Sequence, residues 1–177
     1  EYLKTEKVEY LKLLYDNIIY KDVIVKYNLL KEKSLKETVG LASSNIGKEI
    51  SFNSIKKTLN LGSSTTVKEY FGFLENCFLL FLISKFDYSL KKQIYANKKA
   101  YLIDTALAIY LGFRMSKDLG RLLENLVFIE LKRDKKEIFY YQGKNECDFL
   151  IREGIDIVGA IQGWYDFNDG NKNREIN

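Results

Sequence analysis

The feature that most constrains the fold is an apolar helical stretch followed by three short β-type runs in the last third of the chain. The pattern predicts a helix over residues 119–132 and strands over residues 137–141, 147–151 and 155–161. Turn signals at Gln142-Gly143 and Glu153-Gly154 separate the strands. A helix followed by three strands is an α/β arrangement, and we expect this part of the chain to be built on a sheet.

The preceding segments are predicted to be mainly helical. Residues 3–19 have the apolar spacing of an amphipathic helix, and residues 34–44 form a second helical stretch. Ser51 is a suitable N-cap for a third helix, and a fourth begins near Ser63. Between these two, Gly62 suits the left-handed position that ends a helix. Two short helices around a tight turn form a helix-turn-helix arrangement.

A two-stranded ribbon is predicted after these helices. Residues 78–84 and 99–104 have strand character, and we expect the basic residues 89–99 to form a charged loop between them. A helix-turn-helix followed by such a ribbon is a winged helix. The residues that its second helix and its loop would offer to nucleic acid are Ser64, Thr65, Thr66, Lys68, Lys91, Lys92 and Lys98. Winged helices also serve as protein–protein modules, so packing between domains is the alternative.

The charge distribution favours an anionic partner for the same region. The net charge of +4 is too small to argue from by itself. Residues 51–100, however, contain three acids and eight lysines, which are Lys56, Lys57, Lys68, Lys85, Lys91, Lys92, Lys98 and Lys99. A local excess of positive charge attracts phosphate-rich partners such as DNA. The alternative is that these lysines only solvate the surface.

The composition excludes several kinds of chemistry. The chain has no histidine, which removes Ser-His and Cys-His nucleophiles and every zinc site that needs histidine. Its two cysteines, Cys77 and Cys147, have no CxxC spacing and are expected to be buried in a reducing compartment. No apolar run approaches the length of a membrane helix, and no signal peptide is visible, so we expect a cytoplasmic protein without a membrane partner.

An ordered series of motifs resembles a known protein family. The segments are VKEYFGFLENCFLL at residues 67–80, SLKKQ at 89–93, KAYLIDT at 99–105, GRLLEN at 120–125, ECDF at 146–149 and IQ at 161–162. Together they resemble the C-terminal region, of unknown function, of prokaryotic and especially archaeal AAA-type ATPases. In that family a P-loop ATPase module is followed by a winged helix and a PD-(D/E)xK nuclease-like domain.

The resemblance implies an α+β fold with three parts. Residues 1–33 would be a helical connection to an upstream ATPase module, and residues 34–104 the winged-helix domain. Residues 105–177 would be the α/β restriction-endonuclease-like domain, and this domain would be cut short before a further helix. Because the chain itself has no GxxxxGK[ST] phosphate loop, ATP would bind only through the upstream module, a partner in cis.

The resemblance also implies a candidate catalytic site. Carried over to this sequence, the family pattern makes Glu124, Asp148 and Gln162 the catalytic residues, with Glu124 and Asp148 as ligands of Mg²⁺ or Mn²⁺. Trp164 stands where the family carries a lysine, so the site is incomplete. The structural alternatives are pairing of Glu124 with a nearby lysine or arginine, such as Arg121, and a turn or capping role for Asp148.

Three functions follow from these observations. The first is the DNA-binding and regulatory portion of an ATPase, with a degenerate nuclease-like domain. The second is a metal-dependent DNA nuclease in which another lysine, such as Lys144, replaces the missing one. The third is a protein-interaction module that couples the ATPase to a partner or forms a homo-oligomer.

Overall fold

The computed structural model describes residues 5–113 and 118–163. The described residues form seven α-helices, one π-helical segment and six strands, with three of the strands at the end of the order. The elements are, in order, α1 (Thr5–Asn17), a π-helical segment (Ile18–Val25), α2 (Glu32–Ser44), β1 (Glu49–Ile50), α3 (Phe52–Thr58), α4 (Ser64–Asn76), β2 (Leu80–Lys85), α5 (Leu90–Tyr95), β3 (Lys98–Leu102), α6 (Thr105–Leu111), α7 (Leu119–Arg133), β4 (Glu137–Gln142), β5 (Glu146–Glu153) and β6 (Asp156–Ile161). None of the described helices is long and apolar enough to cross a membrane.

All six described strands belong to one mixed sheet with the order β1-β3-β2-β4-β5-β6. Neighbouring strands are antiparallel except β2 and β4, which pair in parallel through Ser84 with Phe139 and Lys85 with Tyr140. This parallel pair joins strands from the two sides of the predicted boundary at residue 104. The expected α+β class is confirmed, and the division at residues 33 and 104 stays a prediction.

The β2–β3 ladder carries an apolar core on each of its faces. Because side chains alternate across a strand, the pair Leu80 and Leu102 packs into a core with the N-terminal helices. The next pair, Phe81 and Tyr101, packs into a second core with aromatic residues of α7 and β5. Lys99 lies on the same face as Tyr101, two residues earlier in β3. The alternation therefore directs a lysine towards the second core.

The short helices begin and end largely where the sequence indicates. Ser51 caps α3 by accepting a hydrogen bond from the Ser54 amide, as predicted, and Ser63 caps α4 through the Thr66 amide. The end of α3 differs from the prediction, because Asn60 rather than Gly62 has a positive φ, of 49°. Asparagine tolerates this conformation better than most residues with a Cβ.

The expected charged loop over residues 89–99 is wrong in part. Residues 90–95 form α5, and Ser89 caps this helix by accepting a hydrogen bond from the Lys92 amide. None of the α5 side chains is buried. The local cap therefore stabilises α5, to which core packing contributes little. Because α5 has no buried apolar face, the apolar spacing of the sequence did not predict this helix.

The Asn125 side chain continues the hydrogen bonding of β3 beyond the short strand β1. β1 pairs only with Lys98 and Lys99. Farther along β3, the buried Asn125 accepts a hydrogen bond from the Leu102 amide at 2.9 Å and donates one to the Leu102 carbonyl at 3.0 Å. The Asn125 side chain thus hydrogen-bonds the backbone N–H and C=O of Leu102 at a point where no described strand lies beside this edge of β3. The same two hydrogen bonds fix α7 to β3.

We expect Asn125→Ala to lower the free energy of unfolding by about 2–4 kcal/mol, because the amide and the carbonyl of Leu102 would both be left unsatisfied in a buried place. Urea denaturation measures the change. The control is Asn76→Ala, which removes an exposed hydrogen bond to Tyr27 and should cost less than about 1 kcal/mol. Equal losses in the two variants would show that Asn125 does not support the edge of β3.

Candidate functional site

The fold brings Asp148 and Gln162 together through strand register. β5 and β6 are antiparallel, and Phe149 pairs with Ile161. The next pair outward is Asp148 and Gln162, and the Asp148 amide donates a hydrogen bond to Oε1 of Gln162 at 3.0 Å. One carboxylate oxygen of Asp148 accepts a hydrogen bond from the Gly163 amide at 3.2 Å. Asp148 is therefore held in a fixed orientation by the chain around Gln162.

Lys99 joins Asp148 to Glu124 of α7. Its Nζ lies 3.2 Å from Oε1 of Glu124 and 3.0 Å from Oδ1 of Asp148. The three side chains are only 14%, 11% and 14% exposed, for Lys99, Glu124 and Asp148 respectively. This shielding from water strengthens the attraction between the ammonium group and the carboxylates. The Lys99 Nζ also lies over the Tyr140 ring, 5.6 Å from its centroid.

Tyr101 completes the contacts of Glu124. Its hydroxyl donates a hydrogen bond to Oε1 of Glu124 at 2.6 Å, and its ring stacks on Phe128 with a centroid distance of 4.6 Å. Burial raises the pKa of Tyr101, and the nearby charge of Glu124 raises it further. The tyrosine thus remains a protonated donor, and Glu124 receives hydrogen bonds from two residues of β3.

Burial and neighbouring charges act against each other in this cluster. Burial raises the pKa of Glu124, and the charge of Asp148 adds to the rise, whereas Lys99 opposes it. For Lys99 itself, burial would lower the pKa, but the two carboxylates outweigh burial and raise it. Lys99 therefore stays charged, and Glu124 is the acid that takes up a proton more readily than an exposed glutamate does.

A cleft of about 370 Å³ opens beside the Lys99 and Asp148 members of this cluster. Its lining includes Gly47, Glu49, Lys99, Tyr140 and Asp148. Gly47 has a φ of +72°, and a Cβ built on it would lie 2.5 Å from Oε2 of Glu124. A glycine is therefore required there both by the backbone conformation and by the closeness of the Glu124 carboxylate.

The donor set does not fit a divalent cation in this arrangement. Mg²⁺ prefers six oxygen ligands in an octahedron, whereas the site offers two carboxylates with an ammonium group already between them. The Gln162 oxygen is engaged by the Asp148 amide. Within residues 5–113 and 118–163 there is no group of three or more His, Cys, Asp or Glu side chains that could hold a metal ion. We therefore derive no chemical step through Mg²⁺ or Mn²⁺.

The two predicted acids, Glu124 and Asp148, share one cation in the structure, and the sequence pattern did not single out that cation, Lys99. Arg121 pairs with Asp118 at 3.0 Å, and the cation that pairs with Glu124 is Lys99, so the predicted structural alternative of an ion-paired Glu124 remains, with a different partner. Lys144 is exposed in the β4–β5 turn, whereas Lys99 supplies the ammonium group. Trp164 lies outside the described residues. The available sequence signal was the i, i+2 spacing of Lys99 and Tyr101 on one face of an otherwise apolar strand.

The predicted nucleic-acid-binding residues lie on α4, α5 and the start of β3. Four of them are exposed, namely Thr65, Lys68, Lys91 and Lys92, and three are half-buried, namely Ser64, Thr66 and Lys98. Thr66 lies within hydrogen-bonding distance of the Ser63 hydroxyl, and Lys98 donates to the Ser84 hydroxyl and the Gln93 carbonyl. These contacts give Thr66 and Lys98 structural roles, while the four exposed residues are accessible to a partner.

We expect Gly47→Ala to destabilise the protein at least about 1 kcal/mol more than Gly154→Ala does. Both glycines have positive φ, so each substitution carries a strain of about 1 kcal/mol. A Cβ at Gly154 would meet no atom within 4 Å, whereas one at Gly47 would collide with Glu124. Denaturant unfolding measures both, and equal losses would contradict the close approach of Gly47 to the site.

Two curated relatives align with part of this chain. The first is the uncharacterized protein MJ1544 of Methanocaldococcus jannaschii, 39% identical over an alignment of 136 residues that covers 70% of this chain and 29% of the relative. The second is an uncharacterized protein of Haemophilus influenzae, 27% identical over an alignment of 129 residues that covers 70% of this chain and 32% of the relative. The chain thus spans about a third of the length of these relatives or less. No solved structure matches it significantly.

A family match covers the N-terminal part of the chain. It extends over residues 1–119 and includes Lys99 and Tyr101, and it ends at the first residue of α7. Because it covers more than half of the 177 residues, the chain belongs to the family described as Domain of unknown function (DUF8612).

Proposed function

We propose that this chain is the nucleic-acid-binding and regulatory part of a larger archaeal-type AAA ATPase. In this proposal residues 34–104 form a winged helix that contacts DNA, and residues 105–177 form a nuclease-like domain without hydrolytic activity. The matched relatives are much longer than this chain, which leaves room in them for a further module. We infer that this further module is a P-loop ATPase, because the sequence motifs resemble the C-terminal region of AAA-type ATPases.

The order of elements supports the winged helix. The chain runs α2, β1, α3, α4, β2 and β3, and the three strands form an antiparallel group with β3 in the middle. The turn between α3 and α4 is tight, so the two helices have the connection expected of a helix-turn-helix. The ribbon differs from the predicted one because β2 and β3 are joined by the helix α5 and not by a loop alone.

The observation that carries the proposal is the closeness of Lys68 of α4 to Lys98 at the start of β3, beside a crevice between α4 and the end of α5. Ser64 and Lys68 of α4 line a crevice of about 250 Å³ together with residues 94–97 at the end of α5. Burial lowers the pKa of Lys98, which follows this segment, and the positive charge of Lys68 lowers it further. Like charges brought together cost free energy, which a bound phosphate would offset.

The lack of hydrolysis is inferred from the Glu124 and Asp148 site. A metal-dependent nuclease places its acids so that they hold the ion that activates water. Here Lys99 occupies the space between the two carboxylates. A nuclease remains the alternative because two acids and a lysine do converge, and cleavage of DNA in the presence of Mn²⁺ that is lost in Asp148→Ala would favour it.

We expect duplex DNA to bind with an affinity that falls steeply as salt rises, because bound lysines release counterions from the phosphates. Replacing Lys91 and Lys92 together by alanine should weaken binding about tenfold or more. It should also reduce the slope of log K against log salt concentration by about two, since about two phosphate contacts are lost. Fluorescence anisotropy with labelled duplex DNA over a salt series measures both quantities.

The matched control replaces Lys33 and Lys36 of α2 by alanine. It removes the same charge from exposed positions outside the proposed surface, where both lysines pair with glutamates of their own helix. Binding should change much less than in the α5 variant. An equal loss of affinity in both variants would show that only the net charge of the protein matters and that α5 is not a specific contact. Absence of binding at low salt would reject the DNA-binding proposal in favour of a protein-interaction module.

A further inference from the structure

We propose that the Lys99 ammonium group is a built-in cation that replaces a divalent metal ion between Glu124 and Asp148. In the wild-type protein, this site then binds no divalent ion. When the charge of Lys99 is removed, the same two acids become able to bind one. This proposal concerns the cleft beside β3 and β5. It does not depend on whether the surface of α4 and α5 binds DNA.

The geometry of Lys99 is that of a cation shared by two acids. Its Nζ lies 3.2 Å from Glu124 and 3.0 Å from Asp148, which are hydrogen-bonding distances to both carboxylates. A bare divalent ion would occupy the same space with shorter contacts of about 2.1–2.6 Å to oxygen. The ammonium group therefore excludes the ion by charge and by volume.

The remaining contacts hold the two acids in place independently of Lys99. Tyr101 donates to Glu124, and the Gly163 amide donates to Asp148. Gly47 packs directly against the Glu124 carboxylate. Because Tyr101 of β3, the Gly163 amide and the backbone at Gly47 fix these groups, the carboxylates should stay close when Lys99 loses its charge. Two acids held close in a shielded place repel each other, and a divalent ion can relieve that repulsion in competition with the uptake of a proton by Glu124.

The cleft provides a route for such an ion. Asp148 and Lys99 both line the cleft of about 370 Å³ that opens to solvent. An ion that enters there could complete its coordination with water, as oxygen-coordinated cations commonly do. With two protein carboxylates, the expected dissociation constant is in the low-affinity range of about 0.1–1 mM.

The test compares the wild type with Lys99→Met, which keeps most of the side-chain length and removes the charge. In the wild type, we expect the same melting temperature in EDTA and in 10 mM MnCl₂ and no stoichiometric Mn²⁺ binding by electron paramagnetic resonance. In Lys99→Met, we expect a lower melting temperature in EDTA, a rise of about 5 °C or more with MnCl₂, and one bound ion per chain.

The matched control is Lys99→Met combined with Asp148→Asn, which should lose the Mn²⁺ response because one of the two ligands is neutral. Lys99→Arg should resemble the wild type, since it retains a cation. If Lys99→Met folds neither with nor without Mn²⁺, Lys99→Gln replaces it, with the same expectations. Stoichiometric Mn²⁺ binding by the wild type that is lost in Asp148→Asn would overturn the proposal, as would a folded, uncharged variant that does not respond to Mn²⁺.

Discussion

An ammonium group held between two carboxylates at a place largely shielded from water is the interaction on which this structure depends. Charged groups removed from water lose hydration and remain favourable only when they are paired and hydrogen-bonded. Lys99 meets this requirement with Glu124 and Asp148, which lie 25 and 49 residues farther along the chain. The contact therefore ties the β3 strand to α7 and β5, and it can form only when both parts of the chain have packed.

The sheet makes that contact possible. The β2–β3 ladder lies between two apolar cores, and its second face presents Tyr101 and Lys99 to the side where α7 and β5 pack. The parallel pairing of β2 with β4 brings the later strands alongside the ladder. A family match that ends at residue 119 covers the lysine and the tyrosine but not the acids. The cluster is thus assembled from the matched part of the chain and the part that follows it.

Much of the secondary structure and part of the site could be predicted from the sequence. The apolar periodicity of residues 119–132 and the turn signals around residues 142 and 153 are local, and α7 and β4–β6 lie close to their predicted bounds. Glu124, Asp148 and Gln162 were predicted through the resemblance to the ATPase family, whose motifs they match. In the structure, Asp148 and Gln162 meet through the antiparallel register of β5 and β6, and Lys99 joins Asp148 to Glu124 of α7.

The rest depends on contacts that no local pattern encodes. Lys99 looked like one more lysine of a basic segment, because its acid partners lie far away in sequence. The single sheet depends on the pairing of Ser84 with Phe139, 55 residues apart. α5 has no buried residue, and the cap by Ser89 fixes where it begins. The left-handed residue after α3 is Asn60 and not Gly62, although both residue types tolerate that conformation. Sequence periodicity reports burial within an element, whereas these features arise between elements.

A double-mutant cycle between Lys99 and Asp148 tests the central claim most directly, using Lys99→Met, Asp148→Asn and the combined variant in urea unfolding. The reference cycle uses the exposed pair Lys36 and Glu32 on α2, where such pairs are worth about 0.5 kcal/mol or less. The account predicts a coupling free energy of about 2 kcal/mol or more between Lys99 and Asp148, since their attraction is poorly screened. A coupling no larger than that of the exposed pair would contradict it.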